Sequence, residues 1–132
     1  MSDEPFLTRE QRYAKAVFNK IEPFIKRPES DRKKYGSLAH KLPVLIRTAG
    51  LAQALAFVHA RNEEQTPQRQ LLRDLADVLR ENGALAKDAD LVERSRLAAF
   101  DEYMRLTEAA LQALLWFKRF AQSELKVQAG EE

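Results

Sequence analysis

Several residue types are missing from this sequence, and each absence removes a class of protein. The 132 residues include no cysteine, so neither a disulfide framework nor a thiolate metal site can form. No apolar run approaches the roughly 18 residues of a membrane span. The acidic N-terminus, MSDEPFLTREQ, lacks the apolar core of a signal peptide. We therefore expect a soluble protein in the reducing cytoplasm.

Side chains suited to catalysis are also scarce. The two histidines, His40 and His59, each lack a second histidine one helical turn away, which a metal pair would require. No glycine-rich phosphate loop, nucleophile elbow or cofactor motif is present. The sequence predicts a protein that is not an enzyme and has no metal or cofactor. An unrelated helical enzyme or metal protein is the alternative, because a triad assembled in space leaves no motif.

The chain does contain enough apolar sequence for one core. Hydrophobic residues make up 45% of the 132 positions, and this length supports one domain but hardly two with separate cores. We expect a single helical domain over residues 1–132, with frayed tails at 1–7 and 127–132.

Helical periodicity runs through the chain, and no segment alternates with the period of two that indicates a strand. Thr8, with Gln11 at capping-box spacing, Thr66 and Asp90 are candidate N-caps. Pro23 should kink or end the first helix, because it lacks the amide hydrogen for the helical bond. The predicted fold class is all-α, a compact bundle of about five to six helices with no sheet.

The stretch YGSLAHKLPVLIRTAG, residues 35–50, breaks the regular pattern. Apolar residues keep the helical period through Pro43, so either one helix kinks there or one helix ends near Lys41 and another begins. Gly36, Pro43 and Gly50 are interpreted as corners that fold the chain back, with Gly50 as a left-handed cap. The leucines of the stretch should turn inward and its basic side chains outward.

Basic charge is concentrated in the first half of the chain. The net charge is only +2, but residues 1–66 balance at +4 and residues 67–132 at −2. The densest basic excess would attract phosphates if folding gathered it on one face. Its members are Lys26, Arg27, Arg32, Lys33, Lys34, Lys41 and Arg47. A solvated, charge-rich surface is the alternative. Tyr35 either stacks on a base or is an ordinary edge residue.

A long last helix is predicted from about Arg96. Its apolar positions at helical spacing are Phe100, Met104, Thr107, Leu111, Leu114 and Leu115. Trp116 and Phe120 lie on another face, so the helix is apolar over much of its circumference. It is therefore either the centre of the bundle or the site of a protein interface at Trp116 and Phe120.

Three acidic residues, Asp74, Asp77 and Glu81, share one face of a predicted helix. Such a face could hold a cation. Because Arg73 and Arg80 lie in the same helix, local ion pairs on a solvated face are the other interpretation.

Two blocks of the sequence resemble a known family. KKYGSLAHKLPVLIRTAGLAQALAFVHAR, residues 33–61, is similar to the signature of the small all-helical subunit of type III-B CRISPR effectors, the RNA-guided Cmr complex. DEYMRLTEAALQALLWFKRFAQSEL, residues 101–125, is similar to the C-terminal helix of that family. The blocks occur in the expected order and spacing, whereas residues 62–95 carry little of the signature.

The resemblance implies a non-catalytic subunit that stacks in a few copies as the minor filament of the effector. Its partners would be the backbone and large subunits of the Cmr complex, neighbouring copies of itself, and guide and target RNA, with no membrane and no small-molecule substrate. Base pairing reads sequence in such effectors while protein holds the backbone. The implied RNA-binding residues in the matched block are Lys33, Lys34, Lys41 and Arg47. Three residues just before the block are weaker members of the same set: Lys26, Arg27 and Arg32. A purely protein–protein scaffold without RNA contact is the rival function.

Overall fold

The computed structural model describes residues 6–130, and these residues form six α-helices and no strand. The predicted all-α fold class is therefore confirmed. No helix in the described range is long and apolar enough to cross a membrane. The helices are α1 (Arg9–Ile21), α2 (Glu29–Ala49), α3 (Leu51–Arg61), α4 (Pro67–Glu81), α5 (Leu91–Leu97) and α6 (Phe100–Ser123), with a 3-10 turn at Glu22–Phe24 after α1.

Capping residues mark the beginnings of three helices as predicted. The Thr8 hydroxyl accepts a hydrogen bond from the Gln11 amide at 3.1 Å, and the Gln11 side chain accepts one from the Thr8 amide at 2.8 Å. Thr66 and Asp90 cap α4 and α5 in the same way, through their side-chain oxygens. Each cap satisfies an amide at the start of the helix that has no partner within it.

Helix α2 is one continuous helix across Pro43, which decides between the two alternatives for that stretch. The interpretation of Gly36 and Pro43 as corners is wrong, since both lie inside this helix. Only Gly50 is a corner, where a φ of +91° suits glycine and its amide donates to the Ile46 carbonyl at 2.8 Å.

Gly36 serves packing instead of a turn. A Cβ at this position would lie 2.7 Å from Cβ of Val127, so the absence of a side chain lets the C-terminal segment cross α2. The Val127 carbonyl is 3.0 Å from His40 Nε2, and its amide donates to the Ala121 carbonyl at 2.9 Å. Val127 is only 1% exposed, so the expected fraying does not begin there. The expected frayed ends at residues 1–5 and 131–132 lie outside the described residues.

Helices α2 and α6 form the centre of the bundle and run antiparallel. Tyr35 near the start of α2 lies against Phe117 near the end of α6, whereas the Ala52 amide just after α2 donates to the Tyr103 hydroxyl near the start of α6. Helices α1 and α4 pack on this pair. Apolar burial of this kind stabilises each large side chain by about 1.5–3 kcal/mol.

The start and inward face of α6 differ from the prediction. The chain is extended at Ala98 and Ala99, so α5 ends before α6 begins at Phe100. No proline or glycine marks that break. Three of the expected inward residues are on the surface, with Phe100 75%, Met104 49% and Leu115 46% exposed. The alanines of α6 are buried instead, because they let α1 and α2 approach closely. The buried residues are Leu106, Ala109, Ala110, Ala113, Leu114, Phe117 and Ala121.

Candidate nucleic-acid interface

The seven basic residues singled out from the sequence lie in the loop before α2 and along α2. Lys26, Lys34, Lys41 and Arg47 are exposed, and Lys33 is half-buried. Among the described residues, no salt bridge joins Lys26, Lys33, Lys34 or Arg47 to an acidic side chain. These four residues therefore keep their positive charge available to an outside partner.

Arg27 and Arg32 are engaged within the fold. Arg27 pairs with Asp31 at 3.0 Å, one turn along α2, and its guanidinium lies 4.8 Å from the centre of the Phe24 ring. Arg32 donates to the Leu125 carbonyl at 3.2 Å and to the Arg27 carbonyl at 3.1 Å. These two arginines fix the loop and the C-terminal segment, so they are weaker candidates for RNA contact than the lysines.

The basic residues of α2 do not all share one face. Lys34 and Lys41 are seven residues apart, which places them within about 20° around an α-helix, on the same side as Ser37 and Leu38. Arg47 lies about 140° away from Lys34 around the helix and about 20 Å further along it. The helix thus presents a lysine pair near its middle and a separate arginine near its end.

The lysine pair borders a depression that we call the α2–α4 pocket. It has a volume of about 340 Å³ and is lined by Lys34, Ser37, Leu38, Lys41, Asn62 and Gln68. Gln68 is the second residue of α4, so the positive end of that helix lies at the pocket and favours an anion. Asn62 and Gln68 were not predicted from the sequence, because neither belongs to a charge cluster or to a helical apolar stripe.

Tyr35 is not an RNA-stacking residue. Its side chain is 0% exposed, stacked on Phe24 with ring centres 4.0 Å apart, and its hydroxyl donates to Asp74 Oδ2 at 2.6 Å. Burial raises the pKa of Tyr35 well above 10.0, and the neighbouring Asp74 carboxylate raises it further. Both interpretations of Tyr35 from the sequence, base stacking and an edge residue, are therefore wrong, because this ring fills the core between α2, α4 and α6.

The acidic face of α4 is satisfied within the protein. Asp77 and Glu81 both pair with Lys20 of α1, at 3.4 and 3.5 Å, and Asp77 also pairs with Arg80 at 2.8 Å. Burial alone would lower the pKa of Lys20, but the two carboxylates outweigh it and raise that pKa. Local ion pairs are thus the correct interpretation of Asp77 and Glu81. No group of metal-ligating side chains occurs in residues 6–130.

Asp74 is buried in the core, whereas Asp77 and Glu81 lie on the surface. It accepts hydrogen bonds from Tyr35 and, at 2.8 Å, from Gln70 Nε2. Burial raises the pKa of Asp74 above 3.8, while the hydrogen bonds from Tyr35 and Gln70 oppose that rise. Asp74 therefore joins α4 to α2 and contributes no negative charge to the outer surface.

The aromatic pair Trp116 and Phe120 is half-buried against α1. Phe120 meets Phe18 edge to face with ring centres 5.4 Å apart, and Trp116 lies 5.6 Å from Phe120. Part of each ring remains accessible, so the contact with a protein partner stays a prediction. The most exposed large apolar residues of the helices, Leu97 and Phe100, lie instead at the junction of α5 and α6.

The fold and its surface define a small all-helical protein with exposed basic residues along one central helix. Residues 9–124 match the family of the CRISPR-associated protein Cas_Cmr5, so the chain belongs to this family. The chain is 42% identical over 116 residues to the CRISPR system Cmr subunit Cmr5 of Thermus thermophilus, covering 88% of this chain and 95% of that protein.

A crystal structure supports the same assignment. The fold matches the X-ray structure of a CRISPR-associated Cmr5 family protein from Thermus thermophilus with a TM-score of 0.75 and 41% identity. The match covers 90% of this chain and 98% of the other. The family resemblance of the two sequence blocks is therefore confirmed.

Proposed function

We propose that this chain is a non-catalytic subunit of a Cmr effector complex in antiviral defence, and that the exposed basic residues of α2 contact the RNA held by that complex. The observation that carries the proposal is the exposed, unpaired Lys34 and Arg47 on α2 in a chain related to a Cmr subunit. The neighbouring acids of α4 are paired with Lys20 and Arg80 or turned inward, so they do not cancel this charge.

The contact proposed here is with the RNA backbone. Lysines and arginines bind phosphates through Coulomb attraction and release of counterions, independently of base sequence. Guide and target RNA already recognise each other by base pairing in effectors of this type, so a protein subunit needs only to hold backbone and shape. In this arrangement copies of the chain stack as the minor filament, and the backbone and large subunits are their neighbours.

A second candidate function is a protein–protein scaffold that never touches RNA. The exposed apolar side chains at Leu97, Phe100 and Met104 favour it, because contiguous apolar surface commonly marks a protein contact. In that case the α2 cations would meet acidic residues of a neighbouring subunit.

Charge reversal separates the two functions. The variant Lys33→Glu, Lys34→Glu, Arg47→Glu is assembled into the reconstituted complex, and target-RNA affinity is measured as a function of salt. We expect weaker binding and a salt slope smaller by about 0.7 to 1 for each lost phosphate contact. The matched control reverses three exposed lysines on other elements, Lys15, Lys87 and Lys118. A complex that assembles and binds RNA with unchanged affinity and salt slope would favour the scaffold.

A further inference from the structure

Helix α6 carries an apolar stripe on its outer side, which residues 6–130 leave largely uncovered. Phe100, Met104, Thr107, Leu111 and Leu115 follow one another at intervals of three or four residues. They span about 80° around the helix and about 22 Å along it. Phe100 is 75%, Met104 49% and Leu115 46% exposed. A stripe with this period is typical of a helix that packs against another helix.

The stripe can be covered without burying an unsatisfied polar group. The Thr107 hydroxyl already donates to the Tyr103 carbonyl at 2.9 Å, so it needs no acceptor from a partner. Beside the stripe lies a depression of about 360 Å³, whose lining includes Gln112, Leu115 and Trp116. A flexible methionine side chain fits irregular gaps of this kind and makes favourable contacts with aromatic rings. The stripe therefore offers both a row of apolar side chains and a gap that a second helix can fill.

Opposite charges lie beside the two ends of the stripe. Asp101 and Arg119 are 18 residues apart, which is five helical turns, so they lie on the same side of α6 about 27 Å apart. Both are exposed, and among residues 6–130 no salt bridge joins either of them to another side chain. An antiparallel copy of α6 places its Arg119 opposite Asp101 and its Asp101 opposite Arg119. A parallel copy in register would oppose like charges, so the charge pattern favours an antiparallel second copy.

We infer that two copies of the free chain pair through α6 in an antiparallel, twofold-symmetric arrangement, with the two apolar stripes in contact. When Asp101 lies opposite Arg119, Leu111 lies next to the twofold axis and faces its own copy. Met104 of each copy then lies level with the depression beside Leu115 and Trp116 of the other. The chain thus supplies both the side chain that fills the gap and the charge that meets each end.

This pair differs from the stack proposed for the assembled complex. A twofold contact uses the same surface on both copies and closes after two of them, whereas a stack requires an open, head-to-tail contact. The inference therefore goes beyond the proposed function and does not depend on RNA. A contact one helix wide and about 27 Å long is smaller than a standard interface of about 1,200–2,000 Å². We therefore expect weak, reversible pairing.

Sedimentation equilibrium of the full chain without RNA tests the inference. We expect a monomer–dimer equilibrium with a dissociation constant in the micromolar range. Asp101→Arg and Arg119→Asp each turn both attractive pairs into repulsive ones, so each should weaken pairing by about tenfold. The matched controls reverse exposed charges on other elements, Asp88→Arg and Lys15→Asp, and should pair like wild type.

Mixing the two reversed variants tests the register. A pair formed from one Asp101→Arg chain and one Arg119→Asp chain again opposes unlike charges at both ends. The mixture should therefore form heterodimers about as tightly as wild type forms homodimers. The double variant Asp101→Arg, Arg119→Asp should also recover wild-type pairing. A mixture and a double variant that both stay as weak as the single variants would overturn the antiparallel register.

The apolar contact has its own test. Phe100→Ser should weaken pairing, whereas Phe57→Ser, at a half-exposed phenylalanine of α3, should not. Thermal unfolding midpoints close to that of wild type show that a loss of pairing is not a folding defect. Wild type that stays monomeric at submillimolar concentration would overturn the inference, because a different molecule would then cover the stripe. Equal weakening by Phe100→Ser and Phe57→Ser would also overturn it. The proposed function is judged separately, by target-RNA binding of the charge-reversed complex.

Discussion

Lys34 and Tyr35 are adjacent in the sequence, yet they lie about 100° apart around α2 and have different roles. Lys34 is exposed and borders the α2–α4 pocket, whereas Tyr35 is fully buried and bonded to Asp74. On the inner side, close packing and hydrogen bonds join α2 to α4, α6 and the C-terminal segment. On the outer side, the positive charge of Lys34 has no acidic partner among the described residues and is available to an outside ligand. Substitutions on the inner side should therefore change stability, and those on the outer side should change binding.

The largest effect is expected at Gly36 on the inner side. In Gly36→Val the new side chain would collide with Val127, since even a Cβ would lie 2.7 Å from Cβ of Val127. We expect a loss of at least about 2 kcal/mol in the free energy of unfolding, measured with urea, in the range for overpacked cores.

The control for Gly36 is Ala56→Val on the exposed side of α3, which introduces valine into a helix without a collision. Val127→Ala should restore part of the lost stability in the Gly36→Val background. Equal losses in Gly36→Val and Ala56→Val would mean that the C-terminal segment does not pack on α2 as described.

The next effect is expected at the hydrogen bond between Tyr35 and Asp74. Tyr35→Phe removes a donor from a buried carboxyl group and should cost about 1–3 kcal/mol at neutral pH. The folded-state pKa of Asp74 is raised above 3.8, chiefly by burial. Between 3.8 and that pKa the folded state binds more protons than the unfolded state, so this residue's contribution to stability falls as pH rises.

The hydrogen bond from Tyr35 opposes that rise in the pKa of Asp74. Without this hydrogen bond the folded-state pKa of Asp74 is higher, so the contribution of Asp74 to stability falls over a wider pH range. The destabilisation by Tyr35→Phe should therefore grow as the pH is raised from about 3.8 and level off once Asp74 is ionised in both proteins. Urea unfolding at a series of pH values measures it. Tyr13→Phe, at another buried tyrosine, is the control, and its effect should not change over the same range. A Tyr35→Phe effect that is constant with pH would contradict this account.

The sequence predicts those parts of the fold that depend on local chemistry. Thr8 and Thr66 are N-caps as predicted, because a cap depends only on residues within one turn. Gly50 is a corner as predicted, because a positive φ strongly favours glycine. The interpretation of Gly36 as a corner is wrong because glycine is needed there for close packing against Val127, which is 91 positions away in the sequence. Such a contact leaves no local signal.

The candidate site was predictable only in part, for the same reason. The exposed lysines follow from charge density and helical spacing, but nothing in the sequence shows that Arg32 is bonded to the Leu125 carbonyl. Gln68 lines the pocket from a separate helix, α4, and nothing in the sequence shows that it lies near Lys34 and Lys41. Sequence patterns identify the charges, and tertiary packing determines which of them remain available.

A moderate effect is expected at Arg32, at the border between the two sides. Arg32→Ala removes the hydrogen bonds to the Leu125 and Arg27 carbonyls and should lower the free energy of unfolding by about 1 kcal/mol. Lys34→Ala removes the same charge from an exposed position and should change it by less than about 0.5 kcal/mol. For RNA binding we expect the opposite order, with Lys34→Ala losing more affinity than Arg32→Ala. If both variants affected stability equally, Arg32 would not be the anchor of the C-terminal segment.

The smallest effect is expected at the acids of α4, which keep negative charge paired within the protein. Asp77→Asn with Glu81→Gln breaks the pairs with Lys20 and Arg80. Because these pairs are partly solvated, the free energy of unfolding should fall by less than about 1 kcal/mol. The released cations should strengthen the binding of oligouridylate by a small factor, measured by fluorescence anisotropy at low salt, because added positive charge attracts phosphates. Unchanged binding of oligouridylate would mean that Lys20 and Arg80 lie too far from the bound RNA to act on its phosphates.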